Sequence, residues 1–451
     1  MHRNHSTRRD FLRNTAGTLA ATSLLGAPAA RAVSSSELLQ VASVGVGGMI
    51  GRHDLSNLTG SPQVRLVALC DVDAKFLGEA DMVFPGTKTF RDYRRMLDEM
   101  ADDIDAVMIS TPDHMHGSIA LAAMELGKHV YCQKPLAHNL FECRAMGQMA
   151  ADNNELVTQM GTQAHSHAAY RTGVAMIRAG AIGKVKEVHM WVSKSWDGPA
   201  TGRPERTDPV PENFDWDLWL GVAPERPFAE KTYHPHQWRR WTDFGTGTLG
   251  DMGCHIFDPV FSALDLGAPT KVISNGPKCH AETYSPDSDV VYHYAGTEFT
   301  DGDITCRWTD GSAGSVPDVA KAQLPEPQSP EDPNAFKFPG GGSFFVGEKG
   351  VMVLPHVDMP KFFSHGEPMD VAVEEVPGKN HYHEWADVCR GEGEASAPFS
   401  YGCPLTEAVL AGTIATRFPG EELTWNSADL KFDHEEANQL IRRQYRPGRE
   451  L

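Results

Sequence analysis

The chain has 451 residues, 41% of them hydrophobic and 22% charged, enough apolar material for two or three packed domains and too much for wholesale disorder. With 41 Lys and Arg against 60 Asp and Glu, its formal charge is −19, which repels phosphate backbones and excludes nucleic acid as a partner class. No run of about 18 apolar residues follows residue 32, so no membrane span is expected.

The first informative segment is Thr7-Arg8-Arg9-Asp10-Phe11-Leu12. Paired arginines precede a mildly apolar run at residues 16–25, and Ala30-Arg31-Ala32 offers small residues for cleavage. Residues 1–32 therefore resemble a twin-arginine export signal, which implies a periplasmic destination and transport of an already folded chain. Residues 33–37, rich in Ser, read as a linker.

From residue 38 short apolar runs alternate with helical periodicity. Residues 41–45, 64–69, 106–110, 129–132 and 156–160 read as strands. Between them, Tyr93, Met96, Leu97 and Met100 share one helical face, as do Ile119, Ala122, Ala123 and Leu126 ahead of Gly127, and residues 140–152 form a third helix. This alternation predicts an α/β domain over residues 38–162, built on a doubly wound parallel sheet.

The first strand runs into Gly45-Val46-Gly47-Gly48. In a dinucleotide fingerprint one glycine makes the turn, a second admits a pyrophosphate, and a third lets helix pack on strand. The place of the third is taken by Ile50, with Gly48 and Gly51 on either side. Asp71 ends the next strand, where a carboxylate accepts the ribose hydroxyls of NAD and repels the 2′-phosphate of NADP. The expected cofactor is NAD, tightly held because export follows folding. The alternative for Asp71 is a solvated turn carboxylate.

Two more turns follow strand ends, where open α/β sheets place ligands: Thr111-Pro112-Asp113-His114-Met115-His116 and Gln133-Lys134-Pro135. Pro135 biases Lys134 toward an extended conformation. Farther on, Asp251 and His255 in Gly247-Thr-Leu-Gly-Asp251-Met-Gly-Cys-His255 lie one helical turn apart and can reach one substrate carbon. Pro259 has no N–H for the His255 carbonyl, so a kink is expected there.

Together these motifs resemble the glucose–fructose oxidoreductase / inositol dehydrogenase / MocA-like (Gfo/Idh/MocA) family. The resemblance implies a nicotinamide bordered by Thr111, Pro112 and His116 on one side and by Gln133 and Lys134 on the other. It makes Lys134 catalytic, beside Asp251 and His255. Gln133 stands where the family has Glu; its amide can bond a ribose or carboxamide but brings no negative charge to Lys134.

Residues 163–451 are expected to form an α+β substrate domain with a large mixed sheet, which would also mediate a homo-oligomer. Strands are expected at 185–192, 290–294, 304–308 and 344–354, with few clear helices. Residues 311–341, rich in Pro, Gly and Ser, read as an exposed loop or a partner-wrapping arm. Carbohydrate sites stack sugars on aromatics, so His236, Trp238 and Arg240 are expected at the substrate end with His165, the alternative being ordinary core. Eight Cys without a C-x-x-C pair read as free thiols, Cys70, Cys132 and Cys254 among them being buried. Four H-x-H pairs lack further ligands, and no metal is expected.

The function expected is NAD-dependent hydride transfer to or from a secondary hydroxyl of a sugar or polyol. His255 would be the base, Asp251 would hold the hydroxyl or orient the substrate, and Lys134 would stabilise alkoxide charge. Because an exported enzyme has no pool to reoxidise NADH, an NAD-dependent glycosidase or lyase using transient oxidation is an alternative. A metal-dependent hydrolase on the H-x-H pairs and a binding protein that keeps only the fold complete the set.

Overall fold

The structure is a computed structural model that describes residues 37–196, 202–312, 314, 323–325 and 337–450. The twin-arginine segment and most of the Pro-rich stretch lie outside the described residues.

The first sheet contains β1 (Leu39–Val44), β2 (Val64–Cys70), β3 (Lys88–Phe90), β4 (Ala106–Ile109), β5 (His129–Gln133) and β6 (Thr158–Gly161). Its order is β3-β2-β1-β4-β5-β6, and every pairing is parallel. Alternate residues of β1 enter two cores: Ala42 and Val44 join one cluster, Leu39 and Val41 the other. Both faces are thus covered, as a parallel sheet requires. Strand order reverses between β1 and β4, and the crevice outside their C-terminal ends is the ligand position of this architecture.

The helices of this domain are α1 (Gly48–Thr59), α2 (Ala74–Val83), α3 (Tyr93–Met100), α4 (Asp113–Glu125) and α5 (Leu140–Asp152). Neither α2 nor β3 is evident from the sequence. Only Leu77 and Ala80 are buried on α2, and β3 is a three-residue edge strand, so both lack a periodic signal.

The second sheet has ten strands. Its centre is β7 (Val185–Val192), which pairs in parallel with β10 (Thr300–Asp310) and antiparallel with β11 (Gly341–Gly347). Beyond β10 lie β9 (Asp289–Tyr294) and β8 (Lys271–Ser274), then β15 (Glu422–Asn426) and β16 (Lys431–Phe432). Beyond β11 lie β12 (Val351–Pro355), β13 (Lys361–Ser364) and β14 (Glu367–Pro368). The sheet is mixed, as expected, and the 344–354 region is a hairpin of β11 and β12.

This half is richer in helices than its sequence suggests. After α6 (Ala168–Arg178) and the short α7 (Trp216–Leu220) come α8 (Gly247–Leu264), α9 (His381–Cys389) and α10 (Phe399–Ala415). Nearly all of α10 is buried, so it has no polar face to make it periodic, and Pro404 sits within it. Helix α8 continues through Pro259 to Leu264. Helix α9 returns to the first domain, where Tyr382, Trp385, Ala386 and Cys389 complete the core around Leu39 and Val41. All eight cysteines are free, and Cys70, Cys132 and Cys254 are buried.

Candidate active site

The glycine loop is built by close approach. Gly45 has φ +84°, and a Cβ there would stand 2.7 Å from the Ser110 carbonyl carbon at the end of β4. A Cβ on Gly47 would lie 2.1 Å from the Phe76 ring. The third glycine is Gly51 and not position 50, because a Cβ on Gly51 would stand 2.3 Å from the Gly45 carbonyl oxygen. Helix α1 starts at Gly48 with no side-chain cap, leaving its first amides for a ligand. Gly48 has φ +65°, and a Cβ there would meet only open cavity. These residues fit a pyrophosphate.

Asp71 steadies the loop. Its Oδ2 accepts from the amides of Val46 and Gly47, each at 3.0 Å, and its Oδ1 from Asp73 at 2.9 Å. Burial pushes its carboxyl up to about 6, and only these neutral donors oppose the shift from its own turn. The alternative of a solvated carboxylate is excluded. Nearby Arg91 donates to the carbonyls of Val72 and Asn213, and Arg94 pairs with Asp92 at 3.5 Å.

The turns after β4 and β5 are tied by His116, whose Nε2 lies 2.8 Å from the Thr111 carbonyl and Nδ1 2.7 Å from the Pro135 carbonyl. Gln133 donates from Nε2 to both carboxylate oxygens of Asp54, at 2.9 and 3.1 Å. Asp54, on α1, is wholly buried and also accepts from Ser110 Oγ at 2.6 Å and Tyr382 Oη at 2.7 Å. A buried carboxylate therefore lies against the Gln133 amide. The two oxygens of one carboxylate lie close enough together for a single N–H of Gln133 to serve both, which leaves its second N–H for a ribose or carboxamide.

Lys134 and Asp251 meet across the two domains. Lys134 Nζ donates to Asp251 Oδ1 at 2.9 Å and to its carbonyl at 2.7 Å. Arg239 Nη1 lies 3.0 Å from the same Oδ1. Lys194 Nζ and Trp196 Nε1 donate to Oδ2 at 2.7 and 2.6 Å. Burial pushes the Asp251 carboxyl up, but Arg239, Lys134 and Lys194 outweigh it and hold the group well below the usual carboxylate range. Asp251 thus gathers three cations and accepts side-chain hydrogen bonds from Lys134, Lys194 and Trp196.

His255, one turn farther along α8, has Nδ1 3.5 Å from Thr162 Oγ1. No partner is found for Nε2 among the described residues. Burial, then the charge of Lys134, then His356 push its pKa well below the ordinary value, so the ring is neutral at pH 7.

One cavity of about 660 Å³ collects these groups from both domains. It is lined by Gly45, Gly47, Gly48, Asp71, Thr111, Pro112, His116, Gln133, Lys134, Asp251 and His255, and by His236 and Trp238. His165 and Arg240 are not among its lining residues. The His165 ring is held by Asp258 at 2.8 Å, a carboxylate that also accepts from Tyr401. Arg240 loses its place to Arg239, because the short helical turn Gln237–Arg240 directs the earlier guanidinium inward. Trp216 and Trp219 stack at 4.9 Å within an aromatic core that also holds Trp238 and Trp241.

The H-x-H pairs are split by their own elements. His114 turns to the Trp219 carbonyl while His116 bridges Thr111 and Pro135. His381 meets Ser166 while His383 meets the Asn57 carbonyl. Among the described residues no group of three His, Cys, Asp or Glu is placed to hold a metal.

Lys194, Trp196, Arg239, His356 and Asp54 are the residues that sequence reasoning missed. Lys194 lies two residues past the end of β7 and His356 directly follows β12, and that position was the available signal.

Known proteins are similar to this chain in sequence and fold. Residues 39–161 match the model of an oxidoreductase family with an NAD-binding Rossmann fold, and residues 182–330 match that family's C-terminal α/β domain. A levoglucosan dehydrogenase of Pseudarthrobacter phenanthrenivorans is 27% identical over 190 residues, 42% of this chain and 40% of that protein. An inositol 2-dehydrogenase of Salmonella typhimurium is 29% identical over 153 residues, 34% of this chain and 45% of that protein. The matches thus span less than half the length of these curated relatives. An inositol dehydrogenase homolog from Azotobacter vinelandii, solved with NADH and myo-inositol, superposes with a TM-score of 0.58 at 18% identity, over 86% of this chain and 98% of that one. The two matched segments cover more than half of the chain, and they contain the glycine loop, Lys134 and the Asp251–His255 helix: the chain belongs to the Gfo/Idh/MocA family of NAD-binding oxidoreductases.

Proposed function

We propose that this protein is a dehydrogenase that uses NAD, rather than NADP, to oxidise a secondary hydroxyl of a sugar or polyol, or to reduce the corresponding ketone. The observation that carries the reading is the convergence of Lys134, from the first domain, with Asp251 and His255, from the second, on the cavity that the glycine loop opens.

Gly45, Gly47 and Gly48 would hold the pyrophosphate, and Asp71 Oδ1, which has one lone pair left, the ribose. A nicotinamide bound there supplies the hydride acceptor. His255 takes the hydroxyl proton at Nε2. A neutral ring is the form that can accept it, and its depressed pKa keeps it so at pH 7. Lys134, steered by Asp251, stabilises negative charge developing on the substrate oxygen. Preference for NAD rests on Asp71, whose carboxylate repels a 2′-phosphate. Arg8-Arg9 ahead of residues 16–25 supports export to the periplasm with the cofactor already tightly bound.

The test is a spectrum of the purified protein. Adding sugars and polyols to the NAD-loaded protein is expected to produce the absorbance of bound NADH. Release of sugar products without any NADH signal, even transiently, would replace this reading by a hydrolytic one.

A further inference from the structure

The charge balance of the cavity points to the substrate class. Among the described residues, the lining on the side facing Lys134 carries three cations, Lys134, Lys194 and Arg239, against two carboxylates, Asp113 and Asp251. One positive charge is left over, in a chain whose formal charge is −19. The neighbouring histidines add none, because burial lowers both His255 and His356. A surplus cation in a site with restricted water is unfavourable until an anion joins it.

The donors also point one way. Asp251, the residue expected to hold or orient the substrate, already accepts from Lys134, Lys194 and Trp196, with Arg239 Nη1 3.0 Å from Oδ1. Lys194 spends one of its three N–H groups there and remains about two-fifths exposed. Arg239 Nη1 makes no aligned hydrogen bond and stands 3.9 Å from Asp113. Both cations flank the Trp196 ring, Lys194 Nζ at 4.9 Å and Arg239 Cζ at 6.0 Å from its centre. They are anchored on the two oxygens of one carboxylate, so a second carboxylate can span them from the cavity side.

We propose that the substrate is a sugar acid, a polyhydroxylated molecule bearing one carboxylate, and that Lys194 and Arg239 bind that carboxylate while His255 and Lys134 act on a hydroxyl. The proposal rests on the dehydrogenase reading above and deepens it. A carboxylate, with one charge, matches the surplus, whereas a phosphate ester would overshoot it.

Calorimetry on the NAD-loaded protein tests this, using a panel of hexuronates and aldonates, their neutral parent sugars, and glucose 6-phosphate. At least one acid is expected to bind about tenfold or more tightly than its neutral parent, the scale of a charge-assisted hydrogen bond. Lys194→Gln should cancel that ratio, Lys194→Arg should restore most of it, and neither should change NAD affinity. The inference is overturned if the neutral parents bind equally well, if the phosphate ester binds best, if no acid binds, or if Lys194→Gln leaves the ratio intact. NADH formation is read separately. Neutral sugars that reduce NAD while acids stay inert would remove the sugar acid and leave the dehydrogenase. Acids that bind through Lys194 without forming NADH would do the reverse.

Discussion

Two buried carboxylates in one cavity are treated in opposite ways. Asp71, beside the glycine loop, is surrounded by backbone amides, and burial pushes it up to about 6. Asp251, on the second-domain wall, is equally enclosed but holds three cations, and it is pushed well down. Dipoles on a loop can place a carboxylate without fully compensating its desolvation. Full charges can reverse the shift. The first arrangement suits recognition of neutral hydroxyls; the second suits fixing an ammonium in a reacting position.

The largest effect that sharpens this comparison is expected on the second-domain side. His255→Ala should lower the hydride-transfer rate by roughly 10²–10⁴, as for a lost general base, with NAD affinity kept because the residue is remote from the glycine loop. In the parent enzyme the proton-accepting form is complete at pH 7 and is lost only as pH falls through the depressed pKa of His255, well below 6.5. Stopped-flow NADH formation across pH measures both; a near-normal variant rate would remove His255 from the chemistry.

A smaller effect should appear in stability. Asp251→Asn leaves three cations facing a neutral amide, which should cost about 3–5 kcal/mol, the scale of a broken buried ion pair. Asp71→Asn disturbs only hydrogen bonds from backbone amides, about 1–3 kcal/mol. Denaturant melts of the two variants should rank in that order, and equal losses would break the contrast between charges and dipoles.

The smallest effect is a pH dependence of cofactor binding. Because the Asp71 pKa is raised, its carboxyl is ionised above about 6 and takes up a proton below it. NAD affinity should therefore fall severalfold as pH drops through 6. Asp71→Asn should flatten the profile, while Asp251, ionised throughout, contributes no such step. Titrations by fluorescence at pH 5 and 7.5 measure it.

The parallel sheet, the glycine loop and the helix bearing Asp251 and His255 were legible in the sequence because each depends on local features: runs of apolar residues, Gly where a Cβ cannot fit, and one-turn spacing on a helix. Tertiary structure decided what each polar group faces. Gly51, not residue 50, closes the helix onto the loop, since contact with the Gly45 carbonyl depends on the path of the backbone. Gln133 reads as a lost charge until Asp54, 79 residues away in sequence, is seen against it. His165 and Arg240 read as ligands by residue type, yet Asp258 holds the first and the register of a four-residue turn gives the second's place to Arg239. Spacing along a chain determines which side chains share a face of one element. It cannot determine which charges from separate elements will meet at Asp251, because that pairing exists only once β7, the 237–240 turn and α8 have packed against the end of β5.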